Sequence, residues 1–149
     1  MKPWHRRVLG FLAAALTATL LATTASTQSV LASLGGLGVE VPLSVRFEAT
    51  VHDWLGMGPL YGALITAGFL VALLTAGVIV RFAPATRGWL YPLAGAVAVA
   101  TILIAMKSVF EISTIAGART LAGLAMQMLA GAAGGWVFGR VTRRNIDGT

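Results

Sequence analysis

Long apolar runs separated by short polar breaks organise this chain. Four runs stand out, at about residues 8–24, 59–80, 90–106 and 121–138. Each approaches the roughly 20 mostly apolar residues that a helix needs to cross a bilayer. The breaks carry charge, Pro or Gly: Arg81, Pro84 and Arg87 in one, and Lys107, Glu111, Gly117 and Arg119 in the next. The longest connection, at about 25–58, holds one more periodic stretch, "VPLSVRFEATVHDWLG". Pro42 can start a helix there and Gly56 can end it. Phe47, Val51, Trp54 and Leu55 fall at i, i+4, i+7 and i+8, which predicts an apolar face over a helix at about 43–55. Arg46, Glu48, His52 and Asp53 are left for the wetter side. A short amphipathic helix of this kind lies on a membrane surface or caps the bundle. The predicted fold is all-α: a four-helix transmembrane bundle in one domain over 1–149, with a short interfacial amphipathic helix in the first outer loop.

The first run also has the parts of a cleaved signal peptide: basic "KPWHRR", apolar "VLGFLAAALTATLLA" and small "TTAS". It carries the same row of small residues as the other three runs, which favours a retained span.

Composition agrees with the pattern. The chain is 57% hydrophobic and 11% charged, against about 25% charged in a soluble domain. The net charge of +6 does not indicate nucleic acid, because the basic residues sit in short clusters beside apolar runs. Their distribution orients the chain instead. With the N-terminus in the cytoplasm, Lys2, Arg6, Arg7, Arg81, Arg87, Arg140, Arg143 and Arg144 are inside, and only Arg46, Lys107 and Arg119 are outside. Both termini are therefore expected on the cytoplasmic side of a bacterial inner membrane; abundant Arg, Ala, Gly and Leu are the compositional hint of a GC-rich bacterial genome.

The fourth run, "GLAMQMLAGAAGGWVFGR", is unusual in its glycines. Gly123, Gln127, Gly131, Gly135 and Gly139 fall on one four-residue row, and Ala118, Ala122, Met126, Ala130 and Gly134 on its neighbour. In lipid no hydrophobic drive brings helices together, so close packing of small residues does. The first run has Gly10, Ala14, Ala18 and Ala22, the second Gly68, Ala72 and Ala76, and the third Ala94 and Ala98 beside Ala96 and Ala100. The rows predict intramolecular packing, with a homo-oligomer or a membrane partner subunit as the other use of the fourth helix. Gln127 is predicted to bond across helices, with Thr66, Thr75 or Thr101 as candidate partners.

The spans hold no ionisable residue at their centres, which disfavours proton relays and ion paths. There is no cysteine, and no protease, hydrolase, P-loop or dinucleotide motif. The two histidines, His5 and His52, lie on opposite sides, so a bis-histidine haem within one chain is excluded and no cofactor is called for. What chemistry remains is at the outer end. Glu48, His52, Asp53, Lys107, Glu111 and Arg119 form a candidate ligand or partner patch, with Ser26, Thr27 and Gln28 following the first span nearby. Lys107 and Glu111 are spaced i, i+4. Arg119 opens the fourth helix, where the dipole disfavours a cation, so Glu111 or Asp53 is expected to hold it. The alternatives for this end are headgroup-level salt bridges, a polar headgroup or quinone site, and a metal site at Glu48, His52 and Asp53.

The phrases "STQSVLASL", "HDWLGMGPLYG" and "IAGARTLAGLAMQMLAGAAGGWVFG" resemble a family of small multi-span bacterial inner-membrane proteins to which no activity is assigned. The resemblance implies a standalone membrane protein with a specific outer surface, and brings no cofactor and no site residue. Three function classes follow: a non-enzymatic accessory or interaction subunit, a binder or carrier of a quinone or lipid at the outer leaflet, and a membrane enzyme with a site around His52.

Overall fold

The structure is a computed structural model, which describes residues 3–110 and 120–143. Among these residues five α-helices occur in chain order: α1, Pro3–Gly36; α2, Leu43–Gly56; α3, Gly58–Phe82; α4, Arg87–Phe110; and α5, Leu121–Val141. A single 3-10 turn, Pro84–Thr86, joins α3 to α4. No strand occurs among the described residues. Four helices are long and apolar enough to cross a membrane, all but the short α2.

The spans are longer than the hydropathy runs, most of all in α1, which continues past Thr24 to Gly36. At 34 residues it is about 51 Å long, well beyond the roughly 30 Å of a hydrocarbon core. Its second half is hydroxyl-rich, not apolar, yet remains helical. Thr24, Ser29 and Ser33 each turn a hydroxyl back to the carbonyl four residues earlier, so the side chain is satisfied within the helix. The helix stops in a Schellman arrangement: Val39 N–H donates to the Leu34 carbonyl and Gly38 N–H to the Gly35 carbonyl. Gly38 takes the left-handed conformation that this stop requires, with φ 84°.

The chain runs up and down. α1 is antiparallel to α5, with Gly10 beside Val141 and Thr142, and Gly134 beside Ala14 and Ala18. α4 is antiparallel to α5 through Tyr91, Gly95 and Val99, and to α3 through Ala98 and Ile102 against Gly68. α2 and α3 are nearly one helix, broken at Met57. Its N–H still reaches the Asp53 carbonyl, and its carbonyl still accepts from Tyr61. Gly56, Gly58 and Pro59 explain the break, since Pro59 has no N–H to give the preceding turn.

Small and large faces are divided among the helices, and not repeated on each. α1 buries Ala14, Ala18 and Ala22, and α5 buries Gly123, Ala130, Gly131, Gly134 and Gly135. These let backbones meet. A Cβ added at Gly134 would lie 2.7 Å from the Ala14 carbonyl oxygen and 2.8 Å from the Phe69 ring. One added at Gly131 would strike the Gly95 carbonyl, and one at Gly135 the Tyr91 carbonyl. α3 keeps its expected small row, with Gly68 against Ile102 and Ala98, Ala72 packed on the core and Ala76 buried, and adds a large face beside it. That face is Tyr61, Ile65, Phe69, Leu73 and Val80, and these large side chains fill the space beside the close-packed α1 and α5. Met126, placed on a small row by spacing, is exposed, as is Ala122. Around the outside Leu12, Leu16, Leu60, Val71, Leu74, Ile104 and Leu129 are exposed, the apolar belt of a bundle that faces lipid.

Candidate functional site

A polar layer lies between α1, α2, α3 and α5 at the α2 end of the bundle. It begins with Gln127, which is fully buried. Its carboxamide oxygen accepts from the Tyr61 hydroxyl at 3.0 Å, and its Nε2 donates to the Ala22 carbonyl at 3.0 Å. One side chain of α5 thus ties α3 to α1. The threonines expected as partners are elsewhere. Thr66, Thr75 and Thr101 each bond to the carbonyl four residues back in their own helix. Tyr61 is inside the bundle, at 2% exposure.

From Gln127 the layer continues along α1 through Thr23, Ser26 and Thr27, all buried, to the seam with α2. The Thr27 hydroxyl donates to Asp53 Oδ2 at 2.6 Å, with the Thr23 carbonyl at 3.0 Å as its other acceptor. Gln28 is a clamp: its Nε2 donates to the Thr50 hydroxyl at 3.1 Å, and its Oε1 accepts from Arg46 Nη1 at 3.0 Å. The Trp54 indole N–H donates to the Thr24 hydroxyl at 3.0 Å. Running up α1 from Thr24 to Gln28, the partners run back down α2 from Trp54 to Arg46, so the two helices are antiparallel. The Thr23 hydroxyl differs from all of these: it is fully buried and has no hydrogen-bond partner among the described residues.

This geometry corrects the expected amphipathic reading of α2. Arg46 and Asp53 are half-buried against α1 and do not face water. The reason is that the stretch of α1 opposite them is itself polar, so the polar edge of α2 turns inward. Leu43, Phe47 and Leu55 are then left outward, at 83%, 71% and 77% exposure. Glu48 and His52 share that outer surface, both exposed. Helical geometry, at 100° per residue, puts Leu43, Phe47 and Trp54 along one flank and Glu48 and His52 along the other.

The predicted patch is therefore not assembled as drawn. Of its members only Asp53 enters the polar layer. Glu48 and His52 are on the far side of α2, and Lys107 is exposed near the end of α4. Glu111 and Arg119 lie outside the described residues, so the expected pairing of Arg119 falls outside them too. α5 is capped by Thr120, whose hydroxyl accepts from Gly123 N–H at 3.0 Å. No group of three His, Asp or Glu side chains able to hold a metal occurs among the described residues, and Glu48, His52 and Asp53 do not make one. Thr23, Thr50 and Tyr61 are the members that sequence reading missed. The signal for the first two was present: hydroxyls at i, i+3 and i+4 in "TTASTQS" and a threonine four residues after Arg46.

The opposite end collects arginines. An Arg6 nitrogen donates to the Val141 and Arg143 carbonyls, and Arg87 Nη2 donates to the Gly139 carbonyl at 3.1 Å and the Thr142 hydroxyl at 2.7 Å. Two helices thereby supply cations to the last turn of a third, where the dipole favours them.

No protein-family model matches the sequence, and no curated protein and no solved structure is significantly similar to it. The chemistry of the site accordingly rests on its own geometry. That geometry is a set of hydroxyl, carboxamide and carboxylate groups bonded mainly to one another, which orders two helices.

Proposed function

We propose that this protein is a non-enzymatic integral membrane subunit, an accessory or interaction protein whose contact surface is the outer flank of α2. The observation that carries the reading is the commitment of α2's polar edge to α1. Thr27, Gln28 and Thr24 hold Asp53, Thr50, Arg46 and Trp54, so α2 is fixed in register and offers Leu43, Phe47 and Leu55 beside Glu48 and His52. A rigid apolar surface rimmed by charge is characteristic of an interaction site. The glycine row of α5 is used inside the chain, which moves the proposed partner contact from α5 to α2. The partner is another membrane protein, because this surface continues directly from the span formed by α3. Orientation with the α2 end outside and the arginine end in the cytoplasm is part of the same proposal, supported by the distribution of basic residues.

Purification from native membranes in mild detergent tests it. A stoichiometric partner should co-purify with the unaltered chain and be lost from a Phe47→Ala/Leu55→Ser variant that remains folded. A partner retained equally by both would contradict the placement on α2, and a chain that elutes alone would contradict the reading.

A second reading, a binder of a quinone or lipid at this end, has one observation in its favour. The buried Thr23 hydroxyl has no partner among the described residues, and such a donor is usually satisfied. A quinone or lipid recovered by solvent extraction from the purified chain, and lost with Thr23→Val, would support this reading over the first.

A further inference from the structure

At the arginine end a cleft of about 500 Å³ opens between the start of α4 and the end of α5. One wall is Pro84, Ala85, Gly88 and Pro92, and the other is Trp136, Gly139, Arg140 and Arg143, with Arg87 between them. Three arginines line it, and among the described residues no acidic side chain does. Arg87 uses Nη2 for both of its protein bonds, so its other nitrogens have no acceptor among the described residues. Its guanidinium is also held over the Tyr91 ring, 5.1 Å from the centroid. Arg140 is stacked on Trp136 at 4.8 Å and makes no hydrogen bond to a described residue. The guanidinium donors are thus held in place by packing and left unfilled by the described residues.

The local dipoles do not cancel this charge. The carbonyl end of α5 is the negative pole that would repel an anion, but Arg6 and Arg87 occupy its last carbonyls. The opposite wall is the beginning of α4, a positive pole. Pro84 and Pro92 bring no N–H to this wall, and Gly88 brings no side chain. A Cβ at Gly88 would meet nothing within 4 Å.

We infer that this cleft binds the phosphate of an anionic phospholipid, with Arg87, Arg140 and Arg143 around the phosphate oxygens and Trp136 beside the glycerol. The ligand chemistry is a phosphate ester, since planar guanidinium groups match phosphate oxygens in a way that a single ammonium does not. The source is a lipid, not a soluble phosphate, because the Trp136 wall of the cleft shares a face of α5 with the apolar belt. Trp136 is half-exposed and Leu129, two turns earlier on the same face of α5, is 68% exposed. An acyl chain descending from the phosphate lies along that face. Basic pockets between spans at the headgroup level are suited to this role.

Native mass spectrometry of the full chain in neutral detergent tests the assignment. Phosphatidylglycerol, phosphatidylcholine and inorganic phosphate are titrated separately, and phosphate is then added in competition. Each basic group beside an anionic lipid contributes about a factor of five. Arg140→Gln/Arg143→Gln should therefore weaken phosphatidylglycerol binding roughly 25-fold. Gly88→Leu, which leaves every arginine in place and narrows the cleft, should weaken it. Arg81→Gln, which removes an exposed charge at the same end outside the cleft, should retain it. Equal binding of phosphatidylcholine, equal loss with Arg81→Gln, or full binding by Gly88→Leu would each overturn the site. Displacement of the lipid by an equal concentration of inorganic phosphate would overturn the lipid assignment.

Discussion

Single residues decide how closely this bundle closes. Gly95, Gly131 and Gly135 stand where α4 and α5 backbones meet, and even a methyl group has no room there. Glycine costs a helix about 1 kcal/mol against alanine in water. Inside a bundle the alternative is backbone overlap, which is worse. Gly135→Ala and Gly131→Leu should each lower thermal stability in detergent by the equivalent of about 1–3 kcal/mol, measured by the melting temperature. Gly35→Ala, where a Cβ meets nothing, should not. An unchanged melting temperature in both buried variants would mean that this row faces lipid. The row was legible in the sequence because small residues recur in steps of four. The partner of Gln127 was not. Spacing gives the face a residue occupies, but the depth at which two distant helices meet depends on tilt and loop length, and Tyr61 lies 66 positions away.

At the scale of elements, the polar seam between α1 and α2 replaces what hydrophobic packing does elsewhere. Net gains of about 0.5–1.5 kcal/mol per hydrogen bond hold a helix of 14 residues, which would be marginal alone. Removing the seam should therefore release α2 selectively. In a Thr27→Val/Gln28→Ala variant, amides over 43–56 should exchange hydrogen faster by hydrogen–deuterium exchange mass spectrometry, while α4 and α5 keep their protection. Uniform loss of protection would show that α2 is integral to the bundle, and no change would show that the seam contributes nothing to its position. α2 itself was legible from its period and from Pro42 and Gly56. The length of α1 was not, because hydropathy falls after Thr24 while helicity persists through hydroxyl-to-carbonyl bonds. That hidden extension also separates part of the predicted patch: it supplies the polar surface toward which Arg46 and Asp53 turn, leaving Glu48 and His52 apart from them.

At the scale of the molecule, four antiparallel helices place two unlike ends on a common apolar belt. One end is a hydroxyl and carboxamide layer beneath α2. The other gathers Arg6, Arg81, Arg87, Arg140 and Arg143 from four helices, with a cleft among them. The apolar runs alone made the number of spans legible. The distribution of Lys and Arg supports the proposed orientation. The two proposed sites, a partner surface on α2 and a phosphate cleft at the arginine end, both require that these ends lie on opposite sides of one membrane. The chain has no native cysteine, so single cysteines report position without background. With cysteine introduced at Ser44 in one variant and at Ala85 in another, a membrane-impermeant maleimide is applied to intact spheroplasts and, separately, to permeabilised ones. The Ser44 variant should be labelled in both, and the Ala85 variant only after permeabilisation. Labelling of both variants in intact spheroplasts, or of neither, would contradict it.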